Sequence, residues 1–205
     1  DEVSKELFAV EHELGYPTYT FVGNNSKKSQ QLKALLKVLE GQQVQLVSST
    51  VNGDKSVIFA SSDTNPGSYY LFDAKTNNLG FLFSSRSWIK PSQMAITKPI
   101  NFTARDGLAI YGYLTIPNNA EEKNLPLVVM PHGGPHGPRD WWGYDSTAQL
   151  LASRGIAVLK VNFRGSGGFG RNFERAGHRK WGQEIQYDII DGVKYLISSG
   201  IADKG

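Results

Sequence analysis

One junction constrains what this chain can fold into more than any other feature. The apolar run Leu127-Val128-Val129-Met130 stops abruptly in Pro131-His132-Gly133-Gly134-Pro135-His136. A short uninterrupted apolar run bounded by turn residues reads as a buried strand. Two adjacent glycines just beyond it leave backbone N–H groups accessible, with no Cβ in the way. Open α/β sheets bind ligands beyond the carboxyl ends of their strands, so the stretch from Leu125 to Gly170 reads as one half of an active site.

The surrounding pattern supports that placement. Ser146 to Arg154 presents Ala148, Leu151 and Ala152 on one helical face and ends at Gly155; Ile156 to Phe163 is a second strand; Ile185, Ile189, Val193, Leu196 and Ile197 share a helical face closed by Gly200. Strands alternating with helices imply a parallel sheet with right-handed crossovers. Upstream, Ile100 to Thr103 and Leu108 to Ile116 flank Arg105-Asp106-Gly107, and Asp-Gly between two strand-like runs signals a hairpin; Pro117-Asn118-Asn119 ends its second strand. An antiparallel hairpin leading into parallel βα units is how an α/β-hydrolase sheet begins.

The first half of the chain has a different grammar. Tyr19-Thr20-Phe21-Val22 alternates like a strand and is broken by Asn24-Asn25-Ser26, and Ser29 to Leu39 places Leu32, Leu35, Leu36 and Leu39 on one helical face before Gly41. Short β runs follow at Val44 to Val51, Ser56 to Ser61, Ser68 to Phe72 and Leu79 to Phe83, separated by Asn52-Gly53-Asp54, Asn65-Pro66-Gly67 and Thr76-Asn77-Asn78. They predict one antiparallel meander, the size of a propeller blade or of another small β domain. Arg86 to Ala95, with Trp88 and Pro91, reads as a surface linker.

Composition excludes more than it selects. Lys and Arg number 22 against 19 Asp and Glu, with no basic block interleaved with aromatics, so nothing marks a nucleic-acid partner. No apolar run approaches the roughly 20 residues needed to span a bilayer, and Asp1-Glu2-Val3 lacks the character of a signal peptide. With no cysteine, disulfides and thiolate metal sites are excluded and the redox compartment stays open.

Each candidate motif has a rival reading. Acyl transfer needs N–H donors aimed at the oxygen that turns negative; His132-Gly133-Gly134-Pro135 can supply them, Gly134 as donor and Gly133 shaping the turn, or it is a tight turn without a ligand. His132 and His136 cannot form a helical metal pair across Gly-Gly-Pro, so local packing or hydrogen bonding is expected of both. Gly165-Ser166-Gly167-Gly168-Phe169-Gly170 matches G-x-G-x-x-G, but Asp188 and Asp191 fall inside a helical pattern instead of at a strand end, which weakens a dinucleotide site. No serine satisfies G-x-S-x-G, since Arg164 stands two before Ser166. Arg139, Asp140, Trp141 and Trp142 either line a substrate pocket or pack.

Taken together, Leu125 to Val129, His132 to Pro135, Leu151 to Leu159 and Asn162 to Gly170, with Trp181-Gly182-Gln183-Glu184 and Asp188 to Val193, resemble the prolyl oligopeptidase family of serine peptidases, in its acylaminoacyl-peptidase and dipeptidyl-peptidase-like branch. Ser61-Ser62-Asp63, Pro66 to Asp73 and Arg86-Ser87-Trp88 are more loosely similar to the last strands of that family's β-propeller. The resemblance implies an α/β fold: residues 1–90 as the C-terminal part of a β-propeller-like domain, and 91–205 as the N-terminal half of an α/β-hydrolase sheet ending before the nucleophile. It implies hydrolysis of short peptides through an acyl-enzyme in an intact parent, without a cofactor or metal. Gly134 and Gly133 would form the oxyanion hole, and His132, Pro135, Arg139 and Trp141 would contact substrate. The expected partners are a short peptide and the missing C-terminal half of the catalytic domain, with an oligomer permitted and neither nucleic acid nor membrane involved. The expected compartment is the cytoplasm or periplasm of a bacterium, and the chain alone is expected to be inactive because the triad serine, aspartate and histidine are absent. Two rivals remain: a non-catalytic β-meander binding module and a nucleotide-dependent oxidoreductase.

Overall fold

The computed structural model describes residues 7–22, 26–118 and 120–205. The break expected at Asn24-Asn25, the Asp1-Glu2-Val3 terminus and Asn119 lie outside the described residues. The fold is α/β with antiparallel sheets, and the chain divides into two compact units, residues 1–12 with 17–92 and residues 13–16 with 93–205.

In the first unit, β1 (Ala9–Glu13), whose last residue already belongs to the second unit, and β2 (Pro17–Phe21) form a two-stranded sheet. Helix α1 (Lys27–Val38) starts where Ser26 accepts the Ser29 N–H, a cap that satisfies one of the helix's orphan donors. Strands β3 (Gln43–Ser49), β4 (Lys55–Ser61), β5 (Ser68–Asp73) and β6 (Asn78–Ser84) then run as an antiparallel meander in chain order. Turn chemistry sets the register: Asn52 and Thr50 bond across the first turn, and the Asn65 side chain accepts from Gly67 N. Leu35, Leu39, Val44, Ile58, Ala60 and Phe72 are the buried core of this unit. Strand β1 has no counterpart in the sequence reading, because three of its five side chains are exposed and no alternation marks it.

In the second unit, β7 (Ile96–Thr103) and β8 (Ala109–Ile116) form the hairpin, and β9 (Leu127–Val129), α2 (Ser146–Ala152) and β10 (Ala157–Asn162) form a βαβ unit. The sheet order is β7-β8-β10-β9. The antiparallel hairpin leads into a parallel βα unit, as the sequence pattern predicts, and the sheet is mixed: β10 runs parallel to β9 and antiparallel to β8. Asp145 caps α2 by accepting from Thr147 and Ala148. Two more helices follow, α3 (Arg171–Ala176) and α4 (Glu184–Ser198). Helix α3 escapes periodicity analysis because it is six residues long and buries Phe173 alone. One core joins the sheet to α4, with Ile110, Ala157, Leu159, Val161 and Leu196 fully buried. Among the described residues no helix is long and apolar enough to cross a membrane.

Candidate functional site

Strand β9 is short because Met130 donates the last ladder bond, to Leu159 O at 2.8 Å, and Pro131 has no N–H with which to continue. The chain then turns through Gly133 and Gly134, both exposed. Among the described residues neither glycine N–H makes a hydrogen bond. Gly134 has φ +69°, and a Cβ there would sit 3.0 Å from Pro138 Cγ. The result is a pair of open N–H donors at the carboxyl end of a strand.

The side chain of His132 ties this turn to the end of β10. Its Nδ1 lies 3.2 Å from Gly133 O, its Nε2 lies 2.8 Å from Ser166 Oγ, and its ring stacks on Phe163 with centroids 4.3 Å apart. Ser166 is fully buried and donates its one proton to Phe163 O at 2.7 Å. With that proton on Phe163 O, the His132 Nε2 is the donor in their contact. His136 also bonds locally, its Nε2 accepting from the Trp181 indole at 3.2 Å, with the His178 ring edge-on at 4.8 Å.

The G-x-G-x-x-G segment packs against protein. A Cβ on Gly165 would lie 2.3 Å from Pro135 O, and one on Gly167 would lie 2.3 Å from Gly137 O. Gly137 N donates to Gly165 O, and Gly167 N returns a bond to Gly137 O. These glycines let two loops approach within ladder distance, and the volume a pyrophosphate would take is filled by the 135–138 backbone. Pro135 is half-buried at this seam.

Arg139 is buried and turned inward: it donates to Glu13 O at 2.9 Å, Asp140 O at 3.1 Å and Tyr113 Oη at 3.4 Å. Its guanidinium lies between Trp141 at 4.1 Å and Phe169 at 4.3 Å, and Phe169 stacks on Tyr111 at 4.7 Å. Trp141 is 59% exposed and offers its outer face to solvent, whereas Trp142 is buried and donates to Thr97 O. Glu13, which no sequence signal singles out, accepts from both Tyr113 Oη and Trp142 N. Burial pushes the Tyr113 phenol up, and the Glu13 hydrogen bond adds to it. Burial also pushes the Asp140 carboxyl up, against the pull of Lys160 and His132.

Beneath the glycine loop lies a second feature absent from the sequence reading. Arg164 makes paired bonds to Asp188 at 2.8 Å and to Asp106 at 2.7 and 3.0 Å. Hydrogen bonds to Asp188 and then Asp106 hold the guanidinium firmly protonated, and the same contact holds Asp106 below its usual range. Burial drives Asp188 upward while Arg164 restrains it. A signal existed: Asp188 stands on the face that Ile185, Gly192 and Leu196 bury, where an unpaired carboxylate would be prohibitive. Among the described residues no group of three or more His, Asp or Glu could hold a metal.

Residues 142–205 match the prolyl oligopeptidase family. The chain is 38% identical to dipeptidyl aminopeptidase BIII of Pseudoxanthomonas mexicana over 72% of its own length and 22% of that protein. It belongs to the prolyl oligopeptidase family. Pig (Sus scrofa) acylamino-acid-releasing enzyme is 45% identical over 48% of this chain and 14% of its own. Among solved structures, a puromycin-hydrolysing peptidase of Mycobacterium tuberculosis superposes with a TM-score of 0.63 at 27% identity, over 74% of this chain and 24% of that one. The chain thus spans less than a quarter of the length of each of these family members.

Proposed function

We propose that these residues supply the oxyanion-binding part of a serine peptidase that hydrolyses short peptides, as an exopeptidase or oligopeptidase, through an acyl-enzyme. The observation that carries this reading is the open N–H pair of Gly133 and Gly134 at the end of β9, within a family whose relatives are named as aminopeptidases and acylamino-acid-releasing enzymes. Gly134 N–H would bind the carbonyl oxygen as it becomes negative, lowering the barrier to attack. Trp141 would meet substrate with its exposed face while Arg139 holds it in place; His132 and Pro135 would border the same opening. The nucleophile would come from outside residues 1–205, because no serine here has the elbow pattern and Ser166 donates into a carbonyl.

The domain reading belongs to the same proposal: residues 1–90 as the end of a β-propeller, 91–205 as the start of an α/β-hydrolase domain. It is supported by the exposed apolar surface of the meander, where Leu46, Val47, Phe81, Leu82 and Phe83 face solvent, a surface suited to burial against further strands. A serine-directed fluorophosphonate should label a full-length protein carrying this sequence and leave the 205-residue chain unlabelled and without turnover of peptide anilides. Labelling of the short chain that survives Ser166→Ala, or an inert full-length protein, would remove the reading.

A further inference from the structure

Resting on that oxyanion assignment, we propose that Ser166 and His132 are positioning residues that act together as one latch, fixing the direction in which Gly134 presents its N–H. The turn is without hydrogen bonds from its own glycine N–H groups among the described residues, and neither glycine limits its own backbone as a substituted residue would. Something else must select one conformation. The contact that reaches the turn is His132 Nδ1 on Gly133 O at 3.2 Å. Within one trans peptide the carbonyl and the following N–H point in opposite directions. Holding Gly133 O therefore aims Gly134 N–H the other way.

The imidazole is itself held from the far side. Ser166 Oγ meets its Nε2 at 2.8 Å, and the Phe163 ring lies parallel beneath it, 19° from coplanar. Ser166 is immobile in turn: its hydroxyl bonds Phe163 O, and its loop is laddered to Gly137. The sequence from Ser166 through His132 to Gly133 O is thus a continuous rigid path from the end of β10 to the candidate oxyanion donor. This gives the glycine-flanked serine a task that is neither nucleophilic nor phosphate-binding.

The test uses Ser166→Ala, which removes the anchor, and His132→Phe, which keeps the ring over Phe163 and removes both bonds. In the full-length protein, each variant should lower kcat roughly 10- to 100-fold with KM little changed. Affinity for a peptide aldehyde, whose adduct carries the oxyanion, should fall by a similar factor, and the double variant should be no worse than the worse single one. Unchanged kcat, a loss confined to KM, or multiplicative losses in the double variant would overturn the latch. In the 205-residue chain, ¹⁵N spectra provide a reading independent of activity: either substitution should move the Gly134 amide resonance and leave that of Gly107, at the β7–β8 turn, in place. An unmoved Gly134 resonance would overturn the latch even if the protein is a peptidase. A moved one in a catalytically inert full-length protein would keep the latch and discard the oxyanion role.

Discussion

Two glycine-rich turns lie side by side in the second unit and use the same residue for opposite ends. At 133–134 the glycines leave N–H groups open and exposed; at 165–167 they let backbone touch backbone, with carbonyl oxygens 2.3 Å from where a Cβ would be. Glycine content alone does not distinguish a binding turn from a packing turn. What distinguishes them is whether the space a side chain would fill is empty or occupied. A phosphate-binding fingerprint in sequence can therefore be a close-packing device in structure.

That contrast can be broken by substitution. Gly165→Ala should be the most damaging change, because it forces a Cβ onto Pro135 O at φ +101°; a loss of about 4 kcal/mol or more is expected in urea unfolding of the second unit. A loss below about 1 kcal/mol would show that the seam yields easily. Arg164→Met should follow, at about 3 kcal/mol, because it leaves Asp188 buried without its partner; near-native stability would show that the buried carboxylate does not depend on Arg164.

Gly134→Ala should cost about 1–2 kcal/mol for its left-handed backbone, yet abolish most turnover in a full-length protein, whereas Gly133→Ala, with nothing within 4 Å of its Cβ, should change stability by under about 0.5 kcal/mol. Equal effects of the two on melting temperature would contradict the turn geometry.

The smallest effect lies outside both turns. Asp191 is held below the ordinary carboxylate range by the Arg105 guanidinium, whose side chain clasps it at 2.7 Å. A depressed folded-state value stabilises above the unfolded value of about 3.9, and that contribution is lost as pH falls through the folded value. Asp191→Asn should accordingly flatten the acid limb of the melting-temperature profile below about pH 4 and leave its shape near neutrality unchanged. An identical acid limb would remove the contribution.

The meander, the α1 helix, the Asp106-Gly107 hairpin and the βαβ order are legible in the sequence because local rules govern them: turn residues, caps and apolar period. The pairing of β10 directly against β8, which places the hairpin beside the parallel unit, is a tertiary matter that periodicity does not encode. At the site, the glycine turn after β9 shows in the pattern, but Arg139, expected to face substrate, has its donors directed inward by Glu13 and Tyr113, residues 126 and 26 positions away in sequence. The pairing of His132 with Ser166, across 34 residues, is invisible for the same reason. Asp188 was the exception, an acid on an apolar helical face, where burial itself announces a partner.

The indole of Trp181 gives the 135–138 seam a property that can be seen from outside. Three of the four tryptophans are exposed, Trp88, Trp141 and Trp181, but Trp181 alone donates its N–H to a histidine, at His136 Nε2. An indole can only donate, so His136 Nε2 is the acceptor in this bond. Breaking that contact changes the surroundings of an exposed indole, so light emitted by Trp181 reports whether the seam between the two glycine turns is intact, without any added label.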